Sequence, residues 1–451
     1  MKERNILVTI AAIVIVVVAV GAAVVLTRGD TARLAEDASI GPSPKIPAPT
    51  ATLIPTVEIA RPKGWAGNAK PMAASGLAVT AFATGLDHPR WLYVLPNGDV
   101  LVAETNAPGN RPEDGKGIKG FAYKTVQEWA GAGLPSANRI TLVHRENGRE
   151  EASKSTFLEN LNSPYGMVLV GSDLYVANTD AIMRFPYTEG ETKITDPGTK
   201  LTDLPAGPIN HHWTKNIIAS RDGSHLYATV GSNSNVGENG LDKEESRAAI
   251  LEIDRATGKW RVFASGLRNS NGMDWEPQTG ALWTVVNERD ELGSDLVPDY
   301  LSSVKDGGFY GWPFSYYGQH VDTRVPVNTT MIAKALVPDY ALGNHVAPLG
   351  FTFYEADLLP AQYRGGAFIG EHGSWNRNPR SGYRVIFVPF ADGRPNGMPI
   401  DVLTGFVDRD GDARGRPVGV VVDKTGALLV ADDVGNTVWR VTPAGAKTAG
   451  D

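Results

Sequence analysis

Six times along this chain a glycine-containing turn leads into a short run of β-branched, aliphatic or aromatic residues. The copies read NGDVLVAE (97–104), GSDLYVAN (171–178), GSHLYATV (223–230), TGALWTVV (279–286), GGAFIGEH (365–372) and TGALLVAD (425–432). Upstream of most of them lies a second strand-like segment: HPRWLYVLP, SPYGMVLV, TKNIIAS, NSNGMDWEP and RPVGVVVD. The fifth copy is the weakest, because its partner VAPLGFTFY is separated from it by a longer insert. Strand, turn, strand is a hairpin signal, and recurrence at about 50–80 residues marks a repeat array. The pattern predicts an all-β, six-bladed β-propeller. A single large sandwich or barrel, the runner-up, does not explain six similar units. FAYKTVQEWAGAG (121–133) is the best short helix candidate. In a propeller, loops at one face converge on the central channel, and chemistry is expected there.

The N-terminus is of a different kind. MKERN precedes an uncharged apolar run of 21 residues, 6–26, long enough as a helix to cross a bilayer core of roughly 30 Å. A cleaved signal peptide has a shorter apolar region, although Gly21-Ala22-Ala23 offers small residues for cleavage. Lys2 and Arg4 before the run argue for a cytoplasmic N-terminus, and Arg28 weakens that contrast. The expected organisation is an anchor or signal sequence over 1–27, a flexible Pro/Ala-rich linker over 28–75 and the propeller over 76–445. The body is then placed on the periplasmic side of the inner membrane, or in the periplasm if the segment is cleaved.

Composition removes several function classes. The chain has no cysteine, hence no disulfide, thiolate metal site or cysteine nucleophile. Its net charge of −7 and lack of a basic cluster argue against nucleic acid as a partner. No GxSxG elbow, P-loop or HExxH motif occurs, and no GxGxxG opens a helix.

Only eight histidines exist, yet His211 and His212 are adjacent just before a strand of the third repeat. A histidine is most often locally packed. The repeat phase, however, sets this pair level with Pro89-Arg90 in the first repeat and Arg268-Asn269 in the fourth, which favours a shared pocket. NERDELGSDLVPDY (287–300) is dense in carboxylates, a composition that suits calcium as well as a solvated loop. In DRDGDARGRPVG (408–419), Arg414 and Arg416 flank a glycine and suit a ligand with several carboxylates. EHGSWNRNPRSGYRV (371–385) adds His372, Arg377 and Arg380.

Taken together, GLDHPRWLYVLPNGDVLVAET, PAGPINHHWTKNI, GLRNSNGMDWEPQTGALWTVVNERDELGSDLVPDY, GGFYGWPFSYYGQHVD and HGSWNRNPRSGYRVIFVPF resemble the L-sorbosone dehydrogenase family. That family is related to pyrroloquinoline-quinone-dependent soluble glucose dehydrogenases and fungal pyranose dehydrogenases. The resemblance covers roughly residues 78–443. It implies that His212 is the general base, with Arg268 and Asn269 contacting cofactor and reacting oxygen. It places Arg414 and Arg416 on the quinone's carboxylates, with His345, Arg377, Arg90 and His211 near the cofactor. Calcium ligands are expected from Glu288, Arg289 and Asp290. Ser232 stands where the glucose enzyme has a carboxylate orienting the base, so a backbone carbonyl or His211 is expected to hold His212. The implied activity is oxidation of an aldose, sorbosone-like aldehyde or related sugar, with pyrroloquinoline quinone, calcium and an external acceptor (quinone or cytochrome). A calcium-dependent sugar lactonase and a non-catalytic ligand-binding propeller are the alternatives.

Overall fold

The computed structural model describes residues 29–50, 52, 55–109, 131, 133–145 and 152–445. Within them lie six antiparallel sheets with four strands each from the repeat, arranged as the blades of a propeller. Each predicted hairpin is the inner pair of one blade. Their inner strands are Pro89–Val94, Met167–Val170, Ile217–Ala219, Asn269–Trp275, Pro348–Phe353 and Pro417–Val422. The second strands are Val100–Glu104, Asp173–Ala177, His225–Val230, Leu282–Asn287, Ala367–Glu371 and Leu428–Asp432. Blade six takes its outermost strand from the other end of the chain. Leu77–Thr84 pairs antiparallel with Thr437–Pro443, which closes the ring by hydrogen bonds.

The second strands are apolar on both faces, and the packing shows why. Alternate residues of one strand enter the interfaces with two different neighbours. Leu428 and Val430 join the cluster between blades five and six, while Leu429 and Ala431 join the one between blades six and one. Likewise Tyr227 packs toward blade four and Leu226 toward blade two. Six such clusters, one per interface, hold the ring together.

The segment expected to be a flexible linker is extended but docked. Ile40–Gly41 adds a fifth strand to blade four against Ala341 and Leu342, and Met72–Ala73 a fifth strand to blade five against Leu403 and Thr404. Between them the backbone runs over the loops of blades four to six: Glu58 N–H donates to the Trp375 carbonyl at 2.8 Å and Ala413 N–H to the Arg61 carbonyl at 2.7 Å. Apart from a short 3₁₀ turn at Glu36–Ser39 the segment stays extended, and its carbonyls accept from arginines of the propeller, such as Arg380 at Glu58 and Ile59. Among the described residues no helix is long and apolar enough to cross a membrane. The apolar run 6–26, and the helix candidate except Gly131 and Gly133, lie outside them.

Candidate active site

In a hairpin, the start of the first strand and the end of the second share one edge. The sequence-predicted residues gather on that edge. Arg90, Arg268, His345 and Arg416 stand at or just before inner strands, and Glu288 and His372 directly follow second strands. The loop carrying His211 and His212 enters blade three from the same face.

Gly231 brings the first group together. A Cβ there would lie 2.5 Å from both His212 Cβ and Asn269 Oδ1, so only glycine lets the two side chains meet. His212 Nδ1 sits 2.8 Å from the Ser232 carbonyl and 3.0 Å from its hydroxyl oxygen. The hydroxyl itself donates to the Ser234 carbonyl at 2.7 Å. Both neighbours therefore accept, Nδ1 carries the proton, and Nε2 is left with its lone pair. The backbone carbonyl is thus what orients His212, while the His211 ring packs edge-on at 4.7 Å. Burial, with the Arg268 guanidinium and His211 beside it, holds the His212 imidazole well below the ordinary histidine value. Asn269 Oδ1 is buried and has no hydrogen-bond partner among the described residues.

Arg268 is reassigned by its contacts. All five of its N–H groups are occupied within the protein, by the Asn235 carbonyl and amide oxygen, the Asn287 and Glu288 carbonyls, and Asp290 Oδ2. It has no donor left for a reacting oxygen and acts on His212 through its charge. His345 is likewise occupied. Its Nε2 faces the Gly293 carbonyl at 3.1 Å and its Nδ1 faces Asp290 Oδ1 at 3.3 Å, so both nitrogens must donate. Burial opposes that charge, but Asp290 overcomes it and raises the His345 pKa. Burial likewise works against the Asp290 carboxylate, while His345 and Arg268 outweigh it and hold its pKa down.

The carboxylates expected to hold a metal have protein partners. Glu288 Oε2 accepts from Arg289 Nε at 2.9 Å. Arg289 is fully buried and also pairs with Asp322 and the Pro313 and Ser315 carbonyls, which makes it a structural cation rather than part of a metal site. The Glu288 carbonyl already accepts from Arg268 at 2.6 Å. Among the described residues no three His, Asp or Glu side chains form a group suited to a metal. A side-chain cage for calcium does not fit this loop; any ion here would depend on backbone carbonyls and on oxygens of a bound cofactor.

Blades five, six and one supply the second group. Asp433 Oδ2 accepts from Arg90 Nη1 at 2.7 Å and lies 2.9 Å from His372 Nε2. The Arg90 guanidinium lies 5.8 Å from the centre of the Trp213 ring. Arg416 donates to the Ala60 carbonyl of the docked N-terminal segment at 2.6 Å, with Tyr383 under its guanidinium. Arg377 is turned into the protein, donating to the Ser294 and Pro379 carbonyls. Arg414 is different. It is half-buried, and among the described residues its guanidinium has no hydrogen-bond or ion-pair partner. Gly415 between the two arginines is required, since a Cβ there would lie 2.2 Å from Asp432 Oδ2. The guanidinium suits an anionic group of a ligand, while the orphan Asn269 oxygen calls for a hydrogen-bond donor such as a hydroxyl.

Sequence reasoning passed over several residues. Asn235 ties Arg268 to Asp290 by both its backbone and its side chain. Lys215 is fully buried beneath the histidine loop, its ammonium nitrogen 3.2 Å from the His212 and Trp213 carbonyls. Asp433 had a signal: it directly follows a second strand, as Glu288 and His372 do. The Ala60 carbonyl had none.

Residues 172–373 match the family model described as Glucose / Sorbosone dehydrogenase, and residues 322–444 one described as TrAA12-like. A pyrroloquinoline quinone-dependent sugar dehydrogenase of Hypocrea jecorina is 24% identical over 416 residues, covering 80% of this chain and 87% of its own length. The calcium structure of a Trichoderma reesei carbohydrate-active enzyme of family AA12 superposes with a TM-score of 0.67 at 19% identity, covering 86% of this chain and 99% of its own. The holo pyrroloquinoline quinone domain of pyranose dehydrogenase from Coprinopsis cinerea gives 0.66 at 19% identity, over 85% and 100%. Residues 172–373 thus match the Glucose / Sorbosone dehydrogenase model in sequence, and the described residues share the propeller fold of these solved structures.

Proposed function

We propose that the chain is a quinoprotein dehydrogenase that oxidises a sugar or aldehyde hydrate, using pyrroloquinoline quinone with calcium. One observation carries the reading: a half-buried His212 whose Nδ1–H is fixed on the Ser232 carbonyl, which leaves the Nε2 lone pair to take a proton. His212 Nε2 accepts the hydroxyl proton of the substrate as the C–H hydride leaves, so an alcohol becomes a carbonyl. When bound, the quinone supplies the two-electron acceptor for that hydride. Arg268, held by Asn235 and Asp290, keeps His212 uncharged through its field. Asn269 Oδ1 offers an acceptor to the substrate's hydroxyl groups. Arg414 binds a cofactor carboxylate, with Arg416 beside it. The relatives support the cofactor: the Hypocrea jecorina enzyme is named as pyrroloquinoline quinone-dependent, and the family AA12 structure is a calcium structure.

The reading includes a body on the periplasmic side of the inner membrane, retained by residues 6–26 and passing electrons to an external quinone or cytochrome. Loading the chelated full-length protein with quinone and calcium tests the enzymatic part. Reduction of a soluble dye by aldoses, lost in His212→Ala, is expected; no quinone uptake would overturn it.

A further inference from the structure

The docked N-terminal segment begins close to the site. Asp30 is 8% exposed. Its carboxylate accepts from Ser294 N–H at 2.8 Å and its carbonyl from the Ser294 hydroxyl at 3.0 Å. Arg33 N–H then donates to Asp295 at 2.7 Å, and Ala32 N–H to the Asn378 carbonyl at 2.7 Å. These partners belong to the site's own loops: the Gly293 carbonyl holds His345, and the Ser294 carbonyl holds Arg377. The same segment goes on to hold Arg416 through Ala60 and the Asp432 carboxylate through Trp65 Nε1 at 2.7 Å.

Only residues 27–29 separate the apolar run from Asp30. Four Cα–Cα steps reach at most about 14 Å, at roughly 3.3–3.6 Å per residue. The hairpin turns at the opposite end of the blades, such as those at Ser172 and Lys424, are farther away by the length of an inner strand. Six residues at about 3.3 Å give roughly 20 Å.

We propose that the docked residues 30–50 and 55–65 form a rigid mount that turns the site-bearing face of the propeller toward the lipid bilayer. This rests on the reading of residues 6–26 as a retained anchor. The bilayer surface is then the partner of this face, and small substrates reach the site through the narrow layer between protein and lipid.

The absence of cysteine allows clean single labels on the full chain. Asp410→Cys labels an exposed position in the loop before the inner strand of blade six, on the site face, while Ser172→Cys and Lys424→Cys label exposed turns at the opposite end. In vesicles carrying a headgroup-tethered acceptor dye, energy transfer from the Asp410→Cys label should be several-fold more efficient than from the other two. A Gly/Ser spacer of about 20 residues inserted after residue 28, with an r.m.s. reach of about 25 Å, should erase that difference. Equal or reversed transfer in the vesicle-bound chain without the spacer would overturn the orientation alone. Recovery of the chain from the aqueous fraction would overturn the anchor and the orientation with it, while leaving dye reduction as a separate test of the enzyme.

Discussion

The two halves of the site face handle charge in opposite ways. On the side of blades three and four, Arg268, Asp290 and His345 form a closed network in which the charged groups face protein partners. Two groups are left open there, the neutral amide oxygen of Asn269 and His212 Nε2, whose pKa burial and nearby cations hold down. On the side of blades five, six and one, Arg90 and Arg416 are also held, but Arg414 has no protein partner among the described residues. A half-buried guanidinium without a protein partner is open to a ligand carboxylate that would complete it. On the proposed reading the difference separates the tasks: the first half would move a proton and the second would bind an anion.

That division can be broken, beginning with its largest effect. His212→Ala should lower turnover by about 10²–10⁴-fold, the usual contribution of a general base, while quinone affinity stays unchanged. A parallel loss of quinone binding would place His212 in the binding half instead. Asp290→Ala leaves two cations, Arg268 and His345, facing each other without their shared carboxylate. Denaturant unfolding should show a loss of about 3–5 kcal/mol, typical of a broken buried ion pair. Arg414→Ala should weaken quinone binding by about 1.5–3 kcal/mol and leave unfolding midpoints little changed, since no protein hydrogen bond or ion pair is removed. Arg416→Ala should affect both, because it also releases the Ala60 carbonyl. Equal stability losses from the two arginine variants would contradict the contrast.

The smallest effect is on pH. Only the neutral imidazole takes a proton, and burial with nearby cations holds the His212 pKa well below about 6.5. The acidic limb of kcat/KM should therefore lie below that value, with activity retained as pH falls through it. A limb at or above it would mean that His212 is solvated or that another group is the base.

The propeller was legible because a buried blade needs apolar second strands and glycine-containing turns, and both recur six times in the sequence. The phase of that repeat also brought His212, Arg268 and Arg90 to one face. The roles within the site were less legible. The carboxylates of 288–299 read as a cation site, but their cations are the adjacent Arg289 and, from positions that no local pattern connects to them, Arg268 and His345. The docking of 29–75 depends on backbone carbonyls, which every sequence has, so composition alone read it as a free tether. Asp433 was readable from the repeat phase, whereas the Ala60 carbonyl was not.

The most direct test follows quinone absorbance in the full-length protein, chelated and then reloaded with pyrroloquinoline quinone and calcium, as a panel of aldoses is added. The account predicts uptake by the wild type and by His212→Ala, with bleaching by sugar in the wild type alone. Bleaching at the same rate in His212→Ala, or no uptake by the wild type, would contradict it.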